Sequence, residues 1–308
     1  MIEKISKLLV ESGHAGTEHA IRYAINITVG ESMAVSAYTS PEVFFQIKAS
    51  EFIDVEPEYQ ALCEARRVYG ALVPEPIACR RDGEWSIMVS EGVPHTTVTV
   101  HDLLAGRSAG TLVRQLIALF ELQGAARASS AASGSRGYAS LVQDARHWYA
   151  ASRFRDVAQP WLARAATADL GQLGWVPQHG DLVVNNLGCR DRGLVVFDWE
   201  DYGKVGLVGL DVFTLYLTIC GLELGAVRAL ARPDGALPAP VEALLRRACD
   251  ALGLGFDAFR EAVPVYLLIF LYLKRNYGVP VQDRLGQLLG RLDVPGGMYE
   301  SQPAVLPG

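Results

Sequence analysis

The chain has 308 residues, half of them hydrophobic and a fifth charged, with a mean hydropathy of +0.17. That length holds one large domain or two lobes sharing a cleft, and that composition excludes a disordered chain. A formal net charge of −6 argues against a dedicated nucleic-acid binder, whose surface would carry a basic stripe.

The elements begin with EKISKLLVES, residues 3–12, where Ile5, Leu8 and Leu9 fall at helical spacing before Gly13. A short second helix is expected from Thr17 to Tyr23. From Ala24 the period changes to two, and INITVG, MAVSAYTS and VFFQIKAS read as three β segments. A helix is expected from about Pro57 to Leu72, with Pro57 suited to its first turn and Pro74 ending it. ACRRDGEWSIMVSE then reads as a hairpin turning at Asp82-Gly83.

After Val93-Pro94 the pattern becomes mainly helical. HDLLAG and Gly110 to Leu122 open this part. The run GAARASSAASGSRG, Gly124 to Gly137, is small and polar and is expected to be a surface loop. Helices are expected near Leu141–Ala150 and Trp161–Leu170, short strands at Asn186–Cys189 and Gly193–Phe197, and helices beyond, broken by a loop from Ala231 to Pro240. The last dozen residues, rich in proline and glycine, are expected to fray.

Five cysteines (Cys63, Cys79, Cys189, Cys220, Cys249), odd in number and without CxxC spacing, give neither a disulfide framework nor a zinc site and are read as reduced thiols of a cytoplasmic protein. The start of the chain has acidic residues and no continuous apolar core, so it is not read as a signal peptide. The charge-free apolar run Val263 to Leu273 falls well short of the about 20 residues a membrane span needs.

The segment Val176 to Asp201, VPQHGDLVVNNLGCRDRGLVVFDWED, carries the chemistry. His179-Gly180-Asp181 lies in a loop, Asn186 follows, and Asp198 ends the apolar strand LVVF. Phosphoryl transfer needs positioning and charge neutralisation more than covalent help. One carboxylate orients the attacking hydroxyl; an amide oxygen and a second carboxylate hold a divalent cation against the phosphates. A loop followed by a strand pair delivers three such groups to one edge of a cleft.

HGDLxxxN followed by a strand and DWE resembles the catalytic and metal-binding loops of the aminoglycoside phosphotransferases and their relatives, including choline and homoserine kinases, small-molecule cousins of the protein kinases. The resemblance implies an α+β, two-lobed protein-kinase-like fold. A small antiparallel-sheet lobe with one long helix would span residues 1–92, and a larger, mainly helical lobe residues 93–308. It implies Asp181 as catalytic base, Asn186 and Asp198 as magnesium ligands, His179 as a brace beneath the site, and Asp211 as a cap or brace for the next helix.

Upstream, Gly30 and Ser32 fall where the family places its nucleotide-covering loop. Lys48 ends the strand VFFQI, at the place of the family's lysine for the α and β phosphates. Its partner on the following helix is Glu64 or Glu58, with Glu64 preferred on spacing. Ser90, Glu91 and Val93 fall where the hinge would bond adenine through its backbone. Glu200 and Asp201 are either acceptor contacts or solvated loop carboxylates. The chain departs from the family in its loop, where Val183-Val184-Asn185 stands in place of HPG, and this opens a choice between Asn185 and Asn186 that spacing from Asp181 decides for Asn186.

The expected activity is magnesium-dependent transfer of the γ-phosphate of ATP, or GTP, to a hydroxyl of a small molecule such as an antibiotic, aminoalcohol, sugar or biosynthetic intermediate, with no nucleic-acid or membrane partner. A serine or threonine of a peptide is the alternative acceptor. The twelve residues between Asp198 and Asp211 leave no room for a protein-kinase activation loop. A pseudokinase scaffold is the alternative from another class.

Overall fold

The structure, a computed structural model, describes residues 1–17, 21–29, 32–40, 43–93, 96–107, 109–127, 131–168, 170–190 and 193–292. It opens with helix α1 (Ile2–Glu11) and strands β1 (Arg22–Val29), β2 (Ser32–Tyr38) and β3 (Phe44–Ser50). Helix α2 (Glu56–Tyr69) follows, then β4 (Pro76–Asp82) and β5 (Trp85–Gly92). These strands make one antiparallel sheet in the order β1-β2-β3-β5-β4. The hairpin of β4 and β5 turns through Gly83, whose φ of +65° only glycine adopts without strain.

The alternation along β3 gives the sheet two different faces. Phe45, Ile47 and Ala49 point into a core with Val35, Ala37, Ile87 and Val89, closed by Ile5, Leu8 and Leu9 of α1. Gln46 and Lys48 point the other way. Across the ladder Ala34 pairs with Lys48, and Lys48 with Met88. The second face is therefore mixed in character and is free to line a cleft.

The larger part is mainly helical. It contains β6 (Thr96–Thr97), α3 (Val100–Leu104), α4 (Ala109–Arg127), α5 (Ala131–Ala151) and α6 (Arg155–Ala168). There follow β7 (Leu187–Arg190), β8 (Gly193–Val196), α7 (Leu210–Ile219), α8 (Leu224–Ala231), α9 (Ala239–Ala251), α10 (Phe256–Leu273) and α11 (Val279–Gly290). Strands β6, β7 and β8 form a small antiparallel sheet. Helix α10 runs through the middle of the core, with Val263, Leu267, Leu268 and Ile269 inaccessible to solvent. At about 1.5–3 kcal/mol for each such side chain, this burial holds the helix in the core.

Three expectations need correction. The segment Gly124–Gly137 is helical where it is described: residues 124–127 complete α4 and residues 131–137 begin α5, because alanine and arginine favour helix even where little apolar surface is available; residues 128–130 lie outside the described residues. Arg22 and Tyr23 open β1 in register with Tyr38 and Ala37, so the helix expected over Thr17–Tyr23 does not reach its end; residues 18–20 lie outside the described residues, as do the last sixteen. Finally, α2 stops at Tyr69, and Gly70–Leu72 tightens into a 3-10 turn. Among the described residues, no helix is long and apolar enough to cross a membrane.

Candidate active site

The site is built around the β7–β8 hairpin and the loop before it. Leu187 pairs with Val196, and the Phe197 N–H donates to the Asn186 carbonyl at 2.8 Å. Asn186 and Asp198 therefore leave the hairpin at the same end. The Asn186 Nδ2 donates to the backbone carbonyl of Asp181 at 3.0 Å, which ties it to the loop and turns Oδ1 outward. Asn185 is exposed, so of the two amides Asn186 belongs to the site.

A buried carboxylate shapes the loop. Asp211, wholly inaccessible, accepts from the backbone N–H of His179 at 2.8 Å, from that of Gly180 at 2.9 Å and from Gln123 Nε2 at 2.9 Å. It braces the loop as well as sitting in the first turn of α7. Gly180 has φ +86°, and a Cβ there would come within 3.0 Å of Asp201, so this turn needs glycine. His179 packs against Trp199 at 4.5 Å and shares a 2.8 Å hydrogen bond from Nε2 to the Phe197 carbonyl. Its Nδ1 accepts the Asp181 N–H at 3.2 Å, so the proton sits on Nε2. Burial pushes its pKa below the ordinary imidazole value.

Asp198 is held with φ +61°, a left-handed conformation unusual outside glycine. Strain of this kind persists where the surroundings dictate it, and it turns the carboxylate into the cleft. Although solvent reaches that carboxylate, the surrounding protein wall and the charges of Glu200, Asp181 and Glu58 push its pKa up to about 6, against the pull of Lys48. A crowd of carboxylates with this effect invites a cation.

Lys48 crosses the cleft. Its Nζ lies 2.5 Å from Glu58 Oε2 on α2 and 2.9 Å from Glu200 Oε2, just beyond Asp198. Burial alone would lower its pKa, but the Glu200 and Glu58 carboxylates outweigh that and raise it. The preference for Glu64 is overturned. Glu58, Leu62, Ala65 and Tyr69 share one stripe of α2; the last three are buried, and Tyr69 stacks on Trp199 at 5.1 Å. Glu64 stands six residues from Glu58, about a third of a turn off that stripe, and is exposed.

A cavity of about 690 Å³ lies between the free face of the sheet and these loops. Ser32, Lys48, Glu58, Ser90, Glu91, Asp198 and Glu200 line it, together with Asn276 and Tyr277. Val93 instead lines a second cavity, shared with Glu91 and Arg190, behind the strand. Gly30 lies outside the described residues. Asp201 pairs with Lys204 at 2.8 Å.

One group had no signal in the sequence. Lys274, in the 3-10 turn that ends α10, is almost fully buried and places Nζ 2.9 Å from Asp181 Oδ1. A lysine after an apolar helix ordinarily reaches for solvent. Glu58 did carry a signal, its i+4, i+7 and i+11 spacing to Leu62, Ala65 and Tyr69.

The donor set of Asn186 Oδ1 and the Asp198 carboxylate is all hard oxygen, which suits magnesium completed by phosphate oxygens and water. Among the described residues no group of three or more His, Cys, Asp or Glu forms an all-protein metal cage.

A sheet lysine facing a braced loop carboxylate across a cleft is the layout of an enzyme that transfers a phosphoryl group to an alcohol. The profile of the phosphotransferase enzyme family (APH) matches residues 41–257, and the chain belongs to that family. Comparison with curated proteins finds no match. Among solved structures it is similar to a thermostable mutant of the aminoglycoside phosphotransferase APH(4)-Ia, with 15% identity over 92% of this chain and 98% of that one and a TM-score of 0.56. A complex of such a mutant with AMP-PNP and hygromycin B has 14% identity over 92% and 97%, with a TM-score of 0.54. The macrolide 2′-phosphotransferase MphH from Brachybacterium faecium has 14% identity over 94% and 99%, with a TM-score of 0.56. These likenesses establish the two-lobed, protein-kinase-like fold.

Proposed function

We propose that this phosphotransferase moves the γ-phosphoryl group of ATP, or GTP, as its magnesium complex, to a hydroxyl of a small molecule. The observation that carries the reading is the Lys48 ion pair with Glu200, which joins the sheet to the loop two residues beyond Asp198. On this reading residues 1–92 form the lobe that covers the nucleotide and residues 93–308 the lobe that carries the chemistry.

The nucleotide takes the cavity between the sheet and the loops. Lys48, aimed by Glu58, steadies the α and β phosphates. Ser32, which opens β2, covers the phosphates from the sheet side, and the Ser90–Val93 strand end meets the base. Ser90 and Glu91 line that cavity, which supports their part in the assignment; Val93 contributes by its backbone. Asn186 and Asp198 would hold magnesium, which supplies charge neutralisation to the β and γ phosphates.

Asp181 orients the acceptor hydroxyl and takes its proton as the phosphoryl group moves in line. A carboxylate is a weak base beside an alcohol proton, so orientation is the larger part of its work. A small-molecule acceptor is favoured over a peptide by the short span from Asp198 to Asp211, and relatives of this fold have been solved with hygromycin B.

The test is a magnesium- and ATP-dependent screen over aminoglycosides, macrolides, aminoalcohols, sugars and serine peptides, read by mass spectrometry. A phosphorylated small molecule is expected from the wild type. With Asp181→Asn its formation falls by about 10²- to 10⁴-fold, while thermal stabilisation by nucleotide is kept. Full turnover by Asp181→Asn removes the assigned base; a phosphopeptide as the only product overturns the acceptor class.

A further inference from the structure

Lys274 is the second cation of the site, and it reaches Asp181 from a part of the chain unrelated to the motif. Its Nζ lies 2.9 Å from Asp181 Oδ1, and its side chain is 4% exposed. The Tyr277 ring centroid is 4.1 Å from the ammonium and the Phe270 ring 5.4 Å. Asn276 and Tyr277, which directly follow in the chain, line the nucleotide-sized cavity.

Three features point beyond a structural role. The loop between Asp181 and Asn186 reads Leu182-Val183-Val184-Asn185, so it brings no cation of its own to the place where the phosphoryl group would pass. Four carboxylates, of Glu58, Asp181, Asp198 and Glu200, converge on the cleft, and Lys48 is already shared by two of them. A buried ion pair is also a poor device for stability, since a well-packed apolar pair serves as well or better. An ammonium has three N–H groups; Asp181 Oδ1 takes one and the Tyr277 side chain is a second partner, which leaves one for a phosphoryl oxygen.

We propose that Lys274 is a catalytic residue that donates a hydrogen bond to the transferring phosphoryl group while holding Asp181 toward the acceptor. In that step the acceptor oxygen bonds to Pγ and its proton passes to the Asp181 carboxylate. The bond from Pγ to the β,γ-bridging oxygen breaks, and its electron pair leaves with the nucleoside diphosphate. Lys274 gives and takes no proton; it offsets the negative charge of the phosphoryl oxygens, the kind of stabilisation that preorganised cations supply. The inference rests on the phosphotransferase reading above.

Its test needs no acceptor. Binding of Mg·ADP is measured by calorimetry, alone and with aluminium fluoride, which mimics the phosphoryl group in flight, for the wild type, Lys274→Met, Lys274→Gln and Lys274→Arg. Glutamine keeps a hydrogen bond to Asp181 without the charge, and it serves if the methionine variant does not fold. Wild type and Lys274→Arg are expected to bind Mg·ADP more tightly with fluoride. The Met and Gln variants should bind Mg·ADP within about twofold of the wild type but lose about 10- to 100-fold of the tightening, the worth of a charge-assisted hydrogen bond. Full tightening in Lys274→Gln overturns the proposal for Lys274 alone. A wild type that binds no Mg·ADP overturns the phosphotransferase reading and this inference with it.

Discussion

Lys48 on the sheet pairs with Glu58 and Glu200, Lys274 in the helical part pairs with Asp181, and the chain puts the two cations there by different means. Lys48 is placed by strand alternation: its neighbours Ile47 and Ala49 are buried in the sheet core, so its own side chain must face the cleft. It is 29% exposed and divided between Glu58 and Glu200. Lys274 is placed by the buried run 262–271 of α10, and its 4% exposed side chain meets Asp181. One cation is read from a pattern of period two. The other depends on where a long helix stops.

The difference predicts different failures. Lys48→Met is expected to weaken nucleotide binding by about 10- to 100-fold, since charge-assisted bonds to phosphate are lost. In Lys274→Met the nucleotide affinity is kept, so the comparison breaks if both variants lose affinity alike in calorimetry. Glu58→Gln should show a smaller loss in the same assay, because Glu200 still holds Lys48, and Glu64→Gln should match the wild type. A Glu64→Gln defect larger than that of Glu58→Gln would restore the spacing argument over the geometry.

The smallest effect concerns the loop itself. His179 is buried in its neutral form with Nδ1 accepting from Asp181, and its folded pKa lies below the ordinary value. The unfolded chain takes up that proton near pH 6.5, at about the free imidazole value. The stability that the neutral ring contributes is therefore complete above that pH and declines as the pH falls from there through the folded pKa. Urea unfolding between pH 7 and pH 5 should show this loss in the wild type and a shallower slope in His179→Gln; equal slopes would remove the buried neutral ring from the loop.

Much of the site was legible because HGDLxxxN and DWE compress several positions into one short stretch, where spacing alone brings Asp181, Asn186 and Asp198 to one hairpin end. The sheet was legible for the same reason, since period-two alternation is local. Distance along the chain favours Glu64, whereas helical phase selects Glu58 with Leu62, Ala65 and Tyr69. The small, polar run Gly124–Gly137 has the composition of a loop, yet its alanines support helix at both described ends. Lys274 could not be read at all: its contact with Asp181 spans 93 residues and is set by packing of α10 in the core.

The central claim is that a loop amide and a strand-end carboxylate share a cation with the nucleotide that Lys48 holds. It is tested most directly by ATP affinity with and without magnesium, in the wild type and in Asp198→Ala. The account predicts that magnesium tightens ATP binding in the wild type and that the variant loses most of this tightening. An unchanged magnesium dependence in Asp198→Ala would contradict it.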